Sequence, residues 1–249
     1  MFKMKSNKLV LKNLLITRDD FALRVPEIKL PESKSLGIIG VNGSGKSSLL
    51  QAIAGMIPVQ FGKIIINGRE VEKNLYRTRS EIGYIPDDEA WLINELSADE
   101  YFSLLISIYR KAGIQAELEQ NVHNFTQRLS FNQFSQPLGL LSHGNKKKVQ
   151  ITAALMHQPQ MVIVDELRNG LDPISIKIAE ELLNEFTAST GGCVIAATHD
   201  VWWAERFTDS VVFLGNGKVT LQGETTSIAK KYGSLEKAFF ATIEKTNAR

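Results

Sequence analysis

Cysteine is almost absent: Cys193 stands alone among 249 residues, which excludes an intrachain disulfide and a cysteine-rich zinc site. It lies in the apolar run "CVIAAT", where it reads as a small buried residue, and this usage fits a cytosolic compartment. Long hydrophobic runs are absent as well. No window approaches the ~18 consecutive apolar residues that a bilayer crossing needs, so work at a membrane would pass through a partner. "MFKMKSNKLVLKNLLI" begins basic, but Lys12 and Asn13 break its apolar stretch, and no signal peptide is read there. A charge excess is the third absence. Lys and Arg number 29 against 27 Asp and Glu, a net +2, too little to imply a nucleic-acid or membrane surface. Internal repeats, low-complexity tracts and sustained heptads are missing too. What remains, 43% hydrophobic and 22% charged residues, can bury the core of one large domain, or of a domain with a subdomain.

Residues 1–86 carry short β-type runs, "LVLKNLLI", "SLGIIG", "KIIING" and "IGYIP", mostly closed by Gly, Asn or Pro. From Ala98 to about Leu129 the pattern turns helical, with Ser97 as N-cap, Asp99 and Glu100 in the first turn, and Arg110 and Lys111 ahead of Gly113. From Met161 onward strand "MVIVD", a helix from about Ile174 to Thr190, strand "CVIAAT", a short helix and strand "SVVFLG" alternate. Short apolar strands alternating with helices predict an α/β fold, a parallel sheet covered on both faces.

The strongest signal is "SLGIIGVNGSGKSSLL". An apolar strand runs into Gly40-Val41-Asn42-Gly43-Ser44-Gly45-Lys46-Ser47, and Ser48 continues into a helix-compatible segment. This is the G-x-x-x-x-G-K-[ST] phosphate loop. Gly43 and Gly45 let backbone N–H groups turn inward around phosphate oxygens, and the helix N-terminus adds its positive end. Lys46 supplies a point charge for the β- and γ-phosphates, and the Ser47 hydroxyl is a hard oxygen ligand for Mg²⁺. "MVIVDE" then places Asp165 and Glu166 at the C-terminal end of a buried strand, where open parallel sheets bind ligands. Asp165 is the candidate Mg²⁺ ligand and Glu166 the candidate general base for an attacking water. His199 follows a second buried strand and can reach the same edge, within hydrogen-bond reach of the γ-phosphate or the water.

"LLSHGNKKKVQ" admits three readings on its own: an ordinary turn, a nucleic-acid patch, or half of a phosphate site completed by another molecule. With the phosphate loop, the acidic strand and His199 in this order, the chain resembles the ATP-binding subunit of ABC transporters over nearly its whole length. Gly40–Ser47 matches the Walker A loop, Met161–Asp165 with Glu166 the Walker B strand, "NGLD" ending at Asp172 the D-loop, and "LSHGN", Leu141–Asn145, the LSGGQ signature. The resemblance implies a P-loop NTPase core, a mostly parallel sheet flanked by helices, with an antiparallel β subdomain and a helical subdomain. The whole chain, 1–249, would then be one ABC ATPase domain: 1–86 and 142–222 as core plus β subdomain, about 88–141 as helical subdomain, 223–249 as a C-terminal helical tail. It also implies that two ATPase domains face head to tail with each ATP between the Walker A loop of one and the signature of the other. Ser142 and the backbone N–H groups of Gly144 and Asn145 would act across that interface, and Asp172 is a further nucleotide-binding candidate. A helix from about Lys146 to Met156 would follow, its three lysines on the exposed face.

Several residues depart from the family pattern. His143 replaces the first signature glycine, a costly exchange if that position needs a positive φ or close approach to phosphate; alternatively its ring donates to the γ-phosphate. Asp87 stands where the family carries the Q-loop glutamine, and would join Ser47 and Asp165 as a Mg²⁺ ligand while repelling phosphate. Phe21 is the candidate for the adenine-stacking aromatic, and "DELR" brings Leu167 and Arg168 in place of the usual Pro and Thr. None of these removes Lys46, Asp165, Glu166 or His199, so an active, slow ATPase is expected.

The partners implied are an integral membrane transporter subunit and a second ATPase chain, homo- or heteromeric, at the cytoplasmic face of the membrane, with no nucleic acid. Trp91 is a contact for the membrane subunit or packs under its own loop. At least one of Trp202 and Trp203 is core. "YGSLEKAFFATIEK" is similar to the tail of exporter-type subunits, which favours export, or is an amphipathic helix with Phe239 and Phe240 inward. A DNA-repair ATPase would carry a long coiled coil, and a translation-type protein two Walker A loops; neither is here. A nucleotide-binding regulatory module without turnover is the remaining alternative, favoured by the altered signature and Asp87 and opposed by Glu166.

Overall fold

The computed structural model describes residues 7–247, apart from 20, 32, 33 and 90. The chain opens with strands β1 (Asn7–Arg18), β2 (Phe21–Val25), β3 (Ile28–Pro31) and β4 (Ser35–Gly40), then helix α1 (Lys46–Ile53). Strands β5 (Phe61–Ile66) and β6 (Arg69–Glu70), helix α2 (Leu75–Ser80) and strand β7 (Ile82–Ile85) lead to helices α3 (Ala98–Lys111), α4 (Leu118–Arg128) and α5 (His143–Leu155). The rest alternates: β8 (Met161–Asp165), α6 (Pro173–Thr190), β9 (Cys193–Thr198), α7 (Val201–Phe207), β10 (Ser210–Gly215), β11 (Lys218–Glu224), α8 (Thr225–Tyr232), α9 (Leu235–Asn247). No described helix is long and apolar enough to cross a membrane.

One sheet holds the described strands in the order β6-β5-β1-β2-β11-β10-β4-β9-β8-β7, with β3 also on β1. β10, β4, β9, β8 and β7 run parallel. Every residue of β4, β8 and β9 is buried, as expected of strands covered on both faces. The β1, β2, β3, β5 and β6 pairings are antiparallel. This part joins the parallel part through Lys218 beside Arg24 and the bond from Arg24 N–H to Gly217 O. Asn67-Gly68 and Asn216-Gly217 both have positive φ at both residues and make the Asn-Gly hairpin turns their sequence signals.

Apolar side chains pack on both faces. Leu9, Leu11, Ile38, Leu49, Leu50 and Ile53 lie on the α1 side; Val162, Val164, Leu182, Leu183 and Val194 lie on the α6 side. Each full burial contributes about 1.5–3 kcal/mol. α3 and α4 share a separate cluster around Phe102, Val122 and Leu138 with α5.

Helix α5 packs unusually close to the sheet. A Cβ on Gly83 would lie 2.0 Å from the Ala154 carbonyl oxygen, so glycine there lets the helix backbone rest directly on β7. The helix also begins at His143, three residues earlier than the sequence suggests, because Ser142 caps it by accepting the Asn145 N–H at 3.3 Å. The lysine expectation is overturned by this packing. Lys146 and Lys147 are buried, and only Lys148 is partly exposed. At the C-terminus Phe239 is buried edge-on against Phe213 at 5.4 Å, but Phe240 is exposed; the pair does not turn inward together, since neighbours on a helix face different ways. Trp203 is core and Trp202 is exposed. Trp91 is half exposed, with its ring 5.7 Å from Tyr84.

Candidate functional site

The loop between β4 and α1 has the conformation its glycines permit. Gly43 has φ 78 and Gly45 φ 102, the left-handed region that side chains avoid. Gly43 faces open space, whereas Gly45 lies against the Phe21 ring, 3.0 Å from where its Cβ would be. Lys46 is the first residue of α1 and is buried. Its ammonium donates to the Gly40 carbonyl at 2.9 Å and approaches Val41 O at 3.5 Å and Glu166 Oε1 at 3.9 Å. The Ser44 hydroxyl is buried without a hydrogen-bond partner among the described residues. An orphaned buried hydroxyl in a loop that turns at Gly43 and Gly45 fits a bound oxyanion.

A cleft of about 680 Å³ opens over this loop, within the usual size of a small-molecule site. Arg18, Asp19 and Phe21 line one end, Asn42, Gly43, Gly45 and Lys46–Ser48 the floor, and Asp87, Asp165 and Glu166 the other end. Asp165 ends β8 and is buried. Burial pushes its carboxyl above the usual range, and the charges of Asp87 and Glu166 push the same way; the Ser47 hydroxyl bonded to it and Lys46 oppose them. Ser47 and Asp165 thus line the same cleft. Among the described residues no three His, Cys, Asp or Glu side chains converge as a cation cage. One carboxylate and one hydroxyl beside a phosphate loop suit Mg²⁺, which keeps waters and takes its other oxygens from phosphate. The Asp87 carboxylate, though in the cleft, is engaged by the Asn169 side-chain amide at 2.7 Å.

Glu166 is 8% exposed and adopts φ 49, a strained backbone for a non-glycine residue. The strain is held by three contacts. Its N–H donates to Ala197 O at 3.0 Å, its Oε2 accepts from the Thr198 hydroxyl at 3.0 Å, and its Oε1 lies 3.0 Å from His199 Nδ1. A carboxylate only accepts, so this contact puts the ring proton on Nδ1. β8 and β9 are adjacent and parallel, with Asp165 opposite Ala197, which is why residues 32 and 33 apart in sequence meet.

The signature segment does not line this cleft. Ser142 spends its oxygen on the helix cap. His143 has no positive φ, so the imidazole brings no backbone strain. Its Nδ1 lies 2.6 Å from Glu89 Oε1, and Lys146 donates to Glu89 Oε2 at 2.5 Å. The His143 ring fills the space beside Gly170, and Gly144 sits under the Gly170 carbonyl. Asp172 also lies outside the cleft: it caps α6, accepting from the Ile174 and Ser175 N–H groups at 3.0 Å. Leu167 is core, and Arg168 pairs with Asp200.

Thr198, Glu89 and Lys147 touch candidate site residues, and sequence reasoning does not single them out. Thr198 has a signal, its place before His199 on the strand that neighbours Glu166. Lys147 has none, because buried and exposed lysines look alike in a helical run. Its ammonium donates to Pro86 O at 2.6 Å and approaches Asp165 O at 3.4 Å, and burial lowers its pKa to about 8.

Comparison with known proteins bears on this arrangement. The family described as ABC transporter matches residues 23–169. The ABC-type transporter ATP-binding protein EcsA of Bacillus subtilis (strain 168) is 32% identical over 212 residues, 84% of this chain and 83% of its own. A solved structure described as the ATP binding subunit of an ABC transporter superposes with a TM-score of 0.84 at 29% identity, covering 94% of this chain and 99% of the other. The ATP-binding cassette MJ0796, solved as a dimer in a post-hydrolysis state bound to ADP and Pi, shares the fold with a TM-score of 0.74 at 24% identity, over 87% of this chain and 98% of its own.

Proposed function

This chain belongs to the ABC transporter family as an ATP-binding ATPase subunit, and we propose that it hydrolyses Mg-ATP in the cleft above Gly40–Ser47 once a second ATPase chain closes that cleft. The observation that carries the reading is Glu166: buried, strained, pinned by Thr198 and His199, and 3.9 Å from Lys46. Lys46 leaves the Gly40 carbonyl for the β- and γ-phosphate oxygens, and the loop N–H groups and Ser44 hold the same oxygens. Ser47 and Asp165, with Asp87 through water, would hold Mg²⁺, which neutralises charge on the β- and γ-phosphates. Glu166 takes a proton from water as the water oxygen bonds to the γ-phosphorus, and the bond to the β–γ bridging oxygen breaks. His199 keeps the Glu166 carboxylate aimed through its Nδ1–H. Phe21 packs beside the adenine.

Ser142 and Gly144 act from the second chain. Their support is the N-terminus of α5, whose positive end suits an anion, with Ser142 exchanging its Asn145 N–H cap for the phosphate, together with the dimeric state of MJ0796. The residues between β7 and α3, with Trp91 and Ile93 partly exposed, are the surface offered to an integral membrane subunit, and residues 88–141 form the subdomain that meets it at the cytoplasmic face. That subunit sets the cargo and the direction of movement; the exporter-like tail, α9, is too general a helix to set it. Phosphate release by wild type and Glu166→Gln tests the reading. A loss of about 10²–10⁴-fold is expected for removal of a general base, with ATP still bound. Equal, measurable rates in the two proteins would remove Glu166 as the base, and no phosphate release by wild type would leave the regulatory module without turnover in its place.

A further inference from the structure

We propose that Lys147 is the built-in counter-charge of the Mg-ATP site, a positioning residue that allows Asp87 to stand beside Asp165 and Glu166. This rests on the ATPase function proposed above. Lys147 is 1% exposed and among the largest fully buried side chains. Among the described residues it makes no ion pair within 4.0 Å; its ammonium instead grips two backbone carbonyls, Pro86 O at 2.6 Å and Asp165 O at 3.4 Å. These carbonyls have a particular place in the sheet. β7 and β8 pair in parallel, and Ile85 opposite Val164 is the last pair, so Pro86 lies level with Asp165 just past the end of the ladder. Proline has no N–H to continue it. Lys147 bridges the two chains where the rungs stop, and so sets the spacing between the backbone that carries Asp165 and the backbone that leads into Asp87.

The charge balance points the same way. Asp19, Asp87, Asp165 and Glu166 line the cleft against Arg18 and Lys46, four carboxylates against two cations where a polyanion is to bind. Burial disfavours the charge on Lys147 and lowers its pKa to about 8, while the fields of Asp87, Asp165, Glu166 and Asp88 act the other way and favour the ammonium. A buried ammonium without a paired carboxylate is tolerated when such a set surrounds it. Lys147 thus carries from below the positive charge that the extra carboxylate of Asp87 calls for.

The test measures ATP binding in EDTA, by calorimetry, for wild type, Lys147→Gln, Lys147→Met, Asp87→Asn and the double variant Lys147→Gln/Asp87→Asn. Glutamine keeps a donor for the carbonyls and removes the charge. Lys147→Gln is expected to bind ATP on the order of tenfold more weakly, and adding Asp87→Asn is expected to restore affinity to within about threefold of wild type. A side chain that only fills space would show no rescue by Asp87→Asn. Wild-type affinity in Lys147→Gln, or failure of Asp87→Asn to restore it, overturns the proposal. Failure of wild type itself to bind ATP would instead overturn the proposed function. If Lys147→Met alone unfolds, the glutamine variants decide.

Discussion

Glu166 Oε1 and His199 Nδ1 lie 3.0 Å apart across two neighbouring parallel strands, and Thr198 holds the other carboxylate oxygen at the same distance. The base is therefore aimed before any substrate arrives, and the residue that aims it has an exposed side chain. Pre-set donors and acceptors of this kind need little reorganisation during reaction.

His199→Ala is accordingly expected to lower kcat by about 10²-fold, with ATP affinity within about threefold of wild type. Rapid-quench turnover beside equilibrium binding checks the split. A matching loss in both would make His199 a binding residue, not a residue that positions the base.

Gly170 and His143 offer a steric test of the signature region. Gly170 has φ 80, and a Cβ there would lie 1.9 Å from His143 Cδ2. Gly170→Ala is expected to cost about 1–3 kcal/mol in urea unfolding. His143→Gly in the same chain removes the clash but not the backbone strain, so it should recover part of the loss. Full recovery would place the whole cost in the side-chain clash; no recovery would mean that the ring does not occupy this space. Turnover and dimerisation of His143→Gly alone, if unchanged, would show that the ring does not tune the composite site.

His157 sets a pH dependence of stability. It is buried just past the C-terminus of α5, stacked on Tyr109 with ring centroids 4.2 Å apart, and its ring nitrogens find no well-placed partner among the described residues. Burial lowers its pKa from 6.5 to about 4, weakly opposed by the backbone of Ile82 and Ala153. A folded-state pKa below the unfolded value contributes stability fully present above pH 6.5 and lost as pH falls from there toward 4. The loss is about 3 kcal/mol. Urea unfolding at about pH 7.5 and about pH 4.5 should show His157→Phe losing less than wild type by roughly that amount. Equal losses in the two would rule out His157 as the source.

What is legible in the sequence divides along physical lines. The loop Gly40–Ser47 is readable because phosphate binding demands glycines and a lysine at fixed spacing, and β4, β8 and β9 are readable because burial on both faces leaves unbroken apolar runs. The start of α5 is not, because Ser142 reads as a ligand while its oxygen caps the helix. Asp172 resembles a D-loop ligand for the same reason: a cap and a ligand site use the same residue types. The burial of Lys147 depends on Gly83, far away in the chain, admitting the helix to the sheet. No local pattern records such a contact. The pairing of Asp87 with Asn169 and of His143 with Glu89 likewise comes from which loops the sheet order brings side by side.

If Gly40–Ser47 of one chain and Leu141–Asn145 of another grip a single ATP, two inactive variants should complement each other when mixed. Lys46→Ala disables the phosphate loop, and Gly144→Glu sets a carboxylate at the signature helix N-terminus. Each alone should turn over ATP at a few per cent of wild type or less, whereas an equal mixture should regain activity well above the sum, because a mixed pair contains one site with both halves intact. A mixture that stays at the sum, or Gly144→Glu working at the wild-type rate on its own, would mean that the two segments do not share a nucleotide.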